Sequence, residues 1–433
     1  MRKPGAVRIE SLDVLRGIAV CGILLMTIVK MGSVTPYAIE AFPARWDASW
    51  IIWGIQTIFV DGAMRGLFTL LFGAGMVLML RRAEGHGGQT SPLDMWARRS
   101  IALMGFGTLL WLVFLWPGEI LWTYGISGLF LLAFRNARPR TLLATAAAIL
   151  VLLSANNGYR THALAEQLRS GSAALALTRD GASPTAAQRT DAAAALAERA
   201  RVHPDAATLA ERRVQRTHLA SLIRWSEGFW LEENVGIGGW LDIAESVAFM
   251  LIGMALFRLG VLTGAAAPAI YRAMMLAGYI GGIAGRGLTV WIGARSGLDM
   301  TAGAVSPALW ALSDALFEPT RLLITLGHVA AILTLFAKGW LGRAEPIRAL
   351  GRMALTVYAL QAAIGSLLFY GAGLVGRFAL PGLWGIAAMI WIATALFSRW
   401  WLARHPMGPA ERALRRIAYG RDGGAHRRPA IAG

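Results

Sequence analysis

Residues 12–29 read LDVLRGIAVCGILLMTIV, a stretch that is apolar from Ile18 onward and almost long enough to cross a bilayer core. A transmembrane helix needs about 20 residues at a rise of about 1.5 Å each. The stretch nevertheless opens with a carboxylate, Asp13, and a guanidinium, Arg16, three positions apart and therefore on one helical face. A charge at membrane depth costs at least about 2.5–3.5 kcal/mol. The pair therefore either serves a function or lies at the headgroup level, with Arg16 reaching toward the cytoplasm.

The composition places the chain in the membrane. Hydrophobic residues make up 56% of the 433 positions and charged residues 15%, whereas soluble domains carry about 25% charged residues. We therefore expect an all-α fold, a polytopic bundle of about ten transmembrane helices that takes in residues 1–433 as one unit. The net charge of +17 does not indicate a nucleic-acid partner, because the basic residues lie between apolar runs. The single cysteine, Cys21, excludes an internal disulfide, and no cluster indicates a metal site.

About ten apolar segments can be drawn along the chain, and they set the predicted order of the bundle. They cover residues 12–30, 48–80, 98–116, 118–135, 140–156, 239–260, 270–293, 307–336, 350–371 and 382–402. The second segment is too long for a simple span and is interrupted by Asp61 and Gly62, which predicts a tilted or broken helix. Only the turn at 116–119 separates the third and fourth segments, so they should form a tight antiparallel pair.

Basic residues alternate between the connecting segments as the positive-inside rule describes. They are frequent before the first span, between the second and third, and after the last, and they are scarce in the short loops between. This alternation predicts that both termini are cytoplasmic and that residues 404–433 form a basic cytoplasmic tail. The long segment 157–238 then falls outside as an extracytoplasmic insert, with alanine-rich surface helices followed by a tryptophan-rich end.

Polar side chains inside apolar segments are the candidates for function, because lipid penalises them. His328 is the one histidine within a predicted span, and it is either an acid–base residue or a hydrogen-bonded packing residue. Asp61 and Arg65, four positions apart, could pair within the second segment. Further candidates are Glu119 and Tyr124 at the tight pair, and Asp314, Glu318 and Arg321, whose spacing places them on one face of a helix. No hydrolase, metalloprotease or phosphate-binding motif occurs in a suitable context.

Five short stretches, spread from residue 12 to residue 412, form a set. They are LDVLRGIA at 12–19, LFTLLFGAG at 67–75, GEIL at 118–121 with Tyr124, GRMALT at 351–356 with Tyr358 and Gln361, and Gly408-Pro409 with Glu411 and Arg412. Together they resemble the YeiB-like (DUF418) family of bacterial inner-membrane proteins. The resemblance is weakest in the insert, and it implies a multi-pass protein of the bacterial inner membrane.

That family is similar to transmembrane acyltransferases of the heparan glucosaminide N-acetyltransferase type, which share the Leu-Asp-x-x-Arg-Gly start. Those enzymes pass an acyl group from cytoplasmic acyl-CoA to an acceptor across the membrane. For this chain the resemblance implies acyl-CoA as co-substrate, and an envelope glycan, a lipid or a small molecule as acceptor. Membrane lipid is a further expected partner, and a homodimer stays open.

The acyltransferase hypothesis gives each candidate a role. Four arginines would bind the phosphates of acyl-CoA, or would serve membrane topology alone: Arg16, Arg82, Arg99 and Arg352. Asp13 would orient Arg16, and His328 or Glu119 would take the proton from the acceptor. The remaining candidates would contact the substrate: Asp61, Arg65, Tyr124, Asp314, Glu318, Arg321, Tyr358 and Gln361. One departure matters, because the family often has a histidine before its Gly-Asp-Ile-Leu, whereas residues 110–116 contain none and Glu119 replaces the aspartate.

Two other functions stay open at this point. A transporter of a small polar or lipid-linked solute would use the face of Asp314, Glu318 and Arg321 as a site within the membrane. Many transporters show two related halves, and this chain shows no internal repeat. A non-catalytic membrane scaffold is favoured by the missing histidine.

Overall fold

The chain folds into helices throughout, and the computed structural model describes residues 10–35, 47–84, 91–341 and 344–419. Within these ranges there are seventeen α-helices and no β-strand. In chain order they are α1 (Glu10–Gly32), α2 (Ala48–Phe59), α3 (Ala63–Glu84), α4 (Pro92–Phe114), α5 (Leu121–Phe130), α6 (Pro139–Arg179), α7 (Ala186–Val202), α8 (Ala206–Thr217), α9 (Leu219–Asn234), α10 (Ile237–Arg258), α11 (Pro268–Ser296), α12 (Pro307–Ala315), α13 (Phe317–Ala337), α14 (Glu345–Arg352), α15 (Ala354–Ser366), α16 (Leu380–Leu402) and α17 (Pro409–Tyr419). A short 3-10 turn prolongs α5 to Phe134, and a π-helical turn prolongs α15 to Gly371.

The predicted polytopic helical bundle is confirmed. Among the described residues, eight helical stretches are long and apolar enough to cross a bilayer: α1, α2 with α3, α4, α6, α10, α13, α15 and α16. Two of the ten predicted segments fall outside this set. The fourth corresponds to α5, whose apolar stretch, Leu121–Phe134, is shorter than the eight candidate spans. The seventh corresponds to α11, which has 29 residues but is interrupted by glycines and arginines.

The second apolar segment is broken, as its length predicts. The break falls between α2 and α3, where Gly62 adopts a φ of +75°, a left-handed conformation that favours glycine. A Cβ atom at this position would also stand 2.0 Å from Cδ of Arg321 on α13. Gly62 therefore turns the chain and admits the arginine side chain.

Two helices, α1 and α10, occupy the centre of the bundle. Four consecutive residues of α10, Ala248 to Leu251, are 0% exposed, so this helix is enclosed on every side. In α1, Val14 and Leu15 are likewise 0% exposed, and the helix packs against α3, α13, α14, α15 and α16. A helix that is hydrophobic all round is a core element, whereas the other spans keep a face for lipid.

The insert begins within a helix that also contains a candidate membrane span, because α6 runs through 41 residues without a break. The predicted boundary at residue 157 therefore lies inside a helix. Helices α7 to α9 complete the insert, and α8 lies over the end of α1. Arg212 donates to the carbonyl oxygen of Val34 at 3.1 Å, and Arg216 donates to that of Ser33 at 2.6 Å. Both carbonyl groups belong to the segment that directly follows α1, so these bonds fix the chain where it leaves the helix.

The C-terminal helix α17 is packed on protein. Leu414 and Ala418 on one of its faces are buried, and the helix contacts α4 and α15. The remainder of the predicted tail, residues 420–433, lies outside the described residues.

Glycines allow the central helices to touch backbone to backbone. A Cβ atom on Gly351 of α14 would stand 1.8 Å from the carbonyl oxygen of Asp13, and one on Gly17 would stand 2.1 Å from that of Ile347. The crossing of α3 with α10 is similar, since a Cβ on Gly73 would meet the Met250 carbonyl oxygen at 2.0 Å. Small residues at helix crossings are typical of membrane bundles, and three of the sequence motifs carry such a glycine.

We expect Gly351→Ala to destabilise the bundle, because the new methyl group would force α14 away from α1. Overpacking of this kind costs about 1–3 kcal/mol. The thermal unfolding midpoint of the detergent-solubilised protein should fall. Gly287→Ala in α11 is the matched control, since no atom lies within 4 Å of its Cβ position. Equal midpoints for the two variants would contradict the close crossing.

Candidate functional site

A small cleft lies beneath the end of the insert and is the candidate site. Its walls come from α1, α3, α5, α9, α10 and the turn between α4 and α5. The charged and phenolic side chains on the wall are Lys30, Arg65, Glu119, Tyr124, Glu233 and Asp242. We refer to it as the Glu119 cleft. It brings together three of the residues predicted from sequence, Arg65, Glu119 and Tyr124.

Glu119 is fixed by the helix that follows it. Its carboxylate accepts hydrogen bonds from the backbone N–H groups of Leu121 at 2.7 Å and Trp122 at 3.2 Å, so it caps the start of α5. Gly107 of α4 leaves room for this carboxylate, since a Cβ atom there would stand 2.4 Å from Oε2. Glu119 is 4% exposed, and burial raises its pKa to about 7, although the two N–H donors oppose the shift.

An alternating chain of charges runs from the cleft into the bundle. At the cleft, Arg65 makes a two-pronged contact with Asp242, with distances of 3.1 and 3.2 Å. The same guanidinium is paired with Glu245. Glu245 also lies 2.5 Å from Arg321, which in turn lies 2.9 Å from Glu318. The chain links α3, α10 and α13, and its inner members are almost fully buried.

Two hydroxyl groups complete the polar lining. Tyr124 and Thr69 are joined by a hydrogen bond of 2.5 Å between their hydroxyl oxygens, which fixes the phenol beside Arg65. Ser246, one helical turn beyond Asp242, lines the cleft and is 0% exposed. Its hydroxyl has no hydrogen-bond partner among the residues that the structure describes. A buried hydroxyl without a partner is a position at which a ligand or a water gains a hydrogen bond.

A second cluster lies at the opposite end of α1. Asp13 is buried, and its carboxylate lies 3.6 Å from the guanidinium of Arg16, which is 29% exposed. Arg99 of α4 lies close enough to interact electrostatically with Arg16. Its guanidinium stacks over the rings of Phe72 and Trp96 at 5.6 and 5.4 Å. Within the described part of the chain, Arg99 takes part in no ion pair.

The other two arginines predicted to bind acyl-CoA are placed differently. Arg352 donates to the carbonyl oxygen of Pro406 at 3.2 Å and thereby contacts the turn before α17. Arg82 lies near the end of α3, and its side chain lies outside the described residues. Of the arginines predicted to bind acyl-CoA, Arg16 and Arg99 interact electrostatically.

His328 is a hydrogen-bonded packing residue in this structure. Its Nδ1 lies 3.0 Å from the hydroxyl of Tyr279, and its Nε2 lies 2.9 Å from the carbonyl oxygen of Phe59. A carbonyl only accepts, so Nε2 carries the proton and Nδ1 accepts from the tyrosine. Both nitrogens are thus occupied, and His328 is absent from the described lining of the Glu119 cleft.

The pairing and the shared helical face suggested by sequence spacing both differ in the structure. Asp61 accepts a hydrogen bond from Gln56 at 3.1 Å, whereas Arg65 turns to α10. Asp314 bonds to Thr161 of α6 and is separated from Glu318 by the break at Leu316. The eighth segment is therefore two helices, α12 and α13, and the face predicted for Asp314, Glu318 and Arg321 is not continuous.

The last two predicted substrate contacts lie on α15. The Tyr358 hydroxyl accepts the backbone N–H of Ile120 at 3.0 Å, so it touches the turn that carries Glu119. Gln361 is buried one turn further along, and its Nε2 has no hydrogen-bond partner within the described residues.

Sequence reasoning gave no site role to Asp242 or Glu245. The available signal was two carboxylates three positions apart at the start of an apolar segment.

Comparison with known proteins points to one family. Residues 256–421 match DUF418, a family described as a protein of unknown function. The chain is 27% identical to the uncharacterized protein YeiB of Escherichia coli, and the match covers 94% of this chain and 95% of YeiB.

Two further relatives match over a shorter region. The chain is 38% identical to the uncharacterized protein YxaH of Bacillus subtilis over 34% of its own length, and it spans 37% of YxaH. It is 31% identical to an uncharacterized 39.9 kDa protein from the amylase 3′ region of Bacillus acidopullulyticus, and it spans 40% of that protein. No solved structure matches the chain.

We expect Arg321→Met to destabilise the protein strongly, because it leaves Glu245 and Glu318 buried without their shared cation. Removing one partner of a buried ion pair costs about 3–5 kcal/mol. The midpoint of thermal unfolding in detergent is the measurement. Arg295→Met, at an exposed position near the end of α11, is the control. A midpoint for Arg321→Met equal to that of the control would show that the charge chain contributes little to stability.

Proposed function

We propose that this chain, which belongs to the YeiB-like DUF418 family of multi-pass membrane proteins, is an acyltransferase of the bacterial inner membrane. It transfers an acyl group from acyl-CoA to an acceptor that binds in the Glu119 cleft. The observation that carries the proposal is the position of Glu119, a buried carboxylate on the wall of a polar cleft. A carboxylate with a pKa near 7 is suited to act as a general base at neutral pH.

The reaction assigned to the cleft is attack by an acceptor hydroxyl or amine on the thioester carbonyl. Glu119 accepts the proton of the acceptor as the new ester or amide bond forms. The carbon–sulfur bond breaks, and the proton passes to the departing thiolate to give free CoA. Arg65, held by Asp242, and the hydroxyls of Tyr124 and Ser246 would orient the acceptor.

Acyl-CoA would enter from the opposite end of α1. Arg16 and Arg99 interact electrostatically there, and guanidinium groups bind phosphates well. The stacking of Arg99 on Phe72 and Trp96 occupies a face of its guanidinium and leaves the N–H edge for an anion. From Arg16 to Ile23, which lines the cleft, is seven residues of α1, a rise of about 10 Å. An extended pantetheine arm is longer than this.

Glu119→Gln should reduce acyl transfer at least about 100-fold, since general base catalysis contributes a factor of about 10²–10⁴. We would measure label transfer from radiolabelled acetyl-CoA to a lipid and glycan extract of bacterial envelopes. Because the active form is the carboxylate and its pKa is raised to about 7, wild-type transfer should fall as the pH drops below that value. Glu227→Gln, at an exposed position of α9, is the control. Unchanged transfer by Glu119→Gln would refute the assigned role.

Arg99→Ala should weaken the binding of acetyl-CoA by about 10-fold, which corresponds to the loss of about 1.4 kcal/mol of phosphate contact. Calorimetry on the purified protein is the measurement. Arg98→Ala is the matched control, because Arg98 is the exposed neighbour on the same helix. If the wild-type protein does not bind acetyl-CoA, the acyltransferase proposal fails and a non-catalytic membrane scaffold is favoured instead.

One observation favours a second candidate, a transporter. The charge chain from Asp242 through Arg65, Glu245 and Arg321 connects the cleft with the interior of the bundle. Buried ionisable chains of this kind accompany ion and solute pathways in membranes. Solute flux in proteoliposomes without release of free CoA would support this function over acyl transfer.

A further inference from the structure

The first turn of α15 receives its cap from another helix. The first N–H groups of any helix have no helical acceptor, and Met353, which precedes α15, offers no side-chain cap. Glu411 of α17 accepts the N–H of Leu355 at 2.8 Å and that of Thr356 at 3.1 Å. It also accepts the hydroxyl hydrogen of Thr356 at 2.6 Å. One carboxylate thus holds the start of α15 by three hydrogen bonds.

Reciprocal contacts hold α17 in place. The Ala410 N–H donates to the Thr356 hydroxyl at 3.1 Å, so the two helix ends bond to each other. The turn before α17 is fixed by Trp401, whose Nε1 donates to the Met407 carbonyl oxygen at 3.1 Å. Leu414 is buried against the bundle. The cap therefore belongs to a docked helix rather than to a loose tail.

Tyr358 connects the start of α15 with the turn that carries Glu119 on the wall of the cleft. It follows Thr356 by two residues, is 4% exposed, and accepts the N–H of Ile120 at 3.0 Å. The next two N–H groups, those of Leu121 and Trp122, are held by Glu119 itself. Three successive N–H groups at the start of α5 are therefore fixed, that of Ile120 by α15 and those of Leu121 and Trp122 by Glu119.

We propose that α17 positions the Glu119 turn through the first two turns of α15, with Glu411 and Tyr358 as positioning residues. If Glu411 releases α15, the N–H groups of Leu355 and Thr356 lose their acceptor and the first turn frays. Tyr358 then no longer holds Ile120, and the Glu119 carboxylate loses its fixed direction. The catalytic consequence rests on the proposed function, whereas the mechanical coupling between the two ends of α15 does not.

Hydrogen exchange of the full-length protein in detergent tests the coupling without any assay of activity. In Glu411→Ala, which removes the acceptor, exchange should accelerate about tenfold in residues 353–360 and also in residues 115–123, while the insert helices keep their protection. Arg416→Ala, on the exposed face of the same helix, should leave both regions unchanged. Acceleration confined to residues 353–360 and 408–419 would overturn the proposal.

Tyr358→Phe keeps the coupling testable if Glu411→Ala loses protection everywhere. It removes a single hydroxyl and should accelerate exchange in residues 115–123 while residues 353–360 stay protected. Protected residues 115–123 in this variant would overturn the proposal as well.

The pH profile of acyl transfer is the second readout. In Glu411→Ala the inflection near pH 7 should move to higher pH, because the N–H donors that lower the pKa of Glu119 are weakened, whereas a merely structural loss would lower the rate without moving the inflection. If exchange is coupled but the wild-type protein transfers no acyl group, the proposed function fails and the coupling stands. If exchange is coupled but the inflection of the pH profile is the same in Glu411→Ala as in the wild type, the positioning of Glu119 is overturned.

Discussion

A helix that begins within a bundle must find acceptors for its first N–H groups, since water is not there to supply them. In this protein α5 and α15 both begin in this way, and each depends on one glutamate. Glu119 serves α5 from the residue just before its N-cap, and Glu411 serves α15 from a helix more than fifty residues further along the chain. The architecture around the cleft follows from these two caps and from Tyr358, which joins them.

This explains why the family-like motifs take the form that they do. The GEIL stretch combines a cap with the turn that it holds, and GRMALT supplies Gly351 for the crossing with α1 and Thr356 for the bond to Glu411. The last motif supplies that glutamate. Motifs far apart in sequence thus meet at two junctions.

Much of the fold could be predicted from the sequence, because an apolar chain can adopt few backbone structures in lipid. The ten segments correspond to observed helices or broken helix pairs, and Gly62 marks the break in the second. The failures came where a local pattern competed with tertiary contacts. Asp61 and Arg65 have helical spacing, yet Arg65 pairs with Asp242, 177 positions away, which no periodicity can reveal.

Asp314 and His328 show two other limits of a pattern. The spacing of Asp314, Glu318 and Arg321 assumes one uninterrupted helix, and Pro319 is equally compatible with the first turn of a new one, which is what α13 is. His328 has the right residue type for acid–base work, but its role depends on neighbours from α2 and α11. The residue type indicates which chemistry a side chain could perform. The hydrogen bonds around the side chain determine whether its reactive atoms are free to perform it.

The unbroken course of α6 has a mechanical meaning. Its 41 residues give a rod about 60 Å long, roughly twice the thickness of a hydrocarbon core. The helix is therefore longer than a single crossing requires, and its second half belongs to the insert. Because no loop interrupts α6, the insert and the bundle are coupled by continuous helix rather than by a flexible connection.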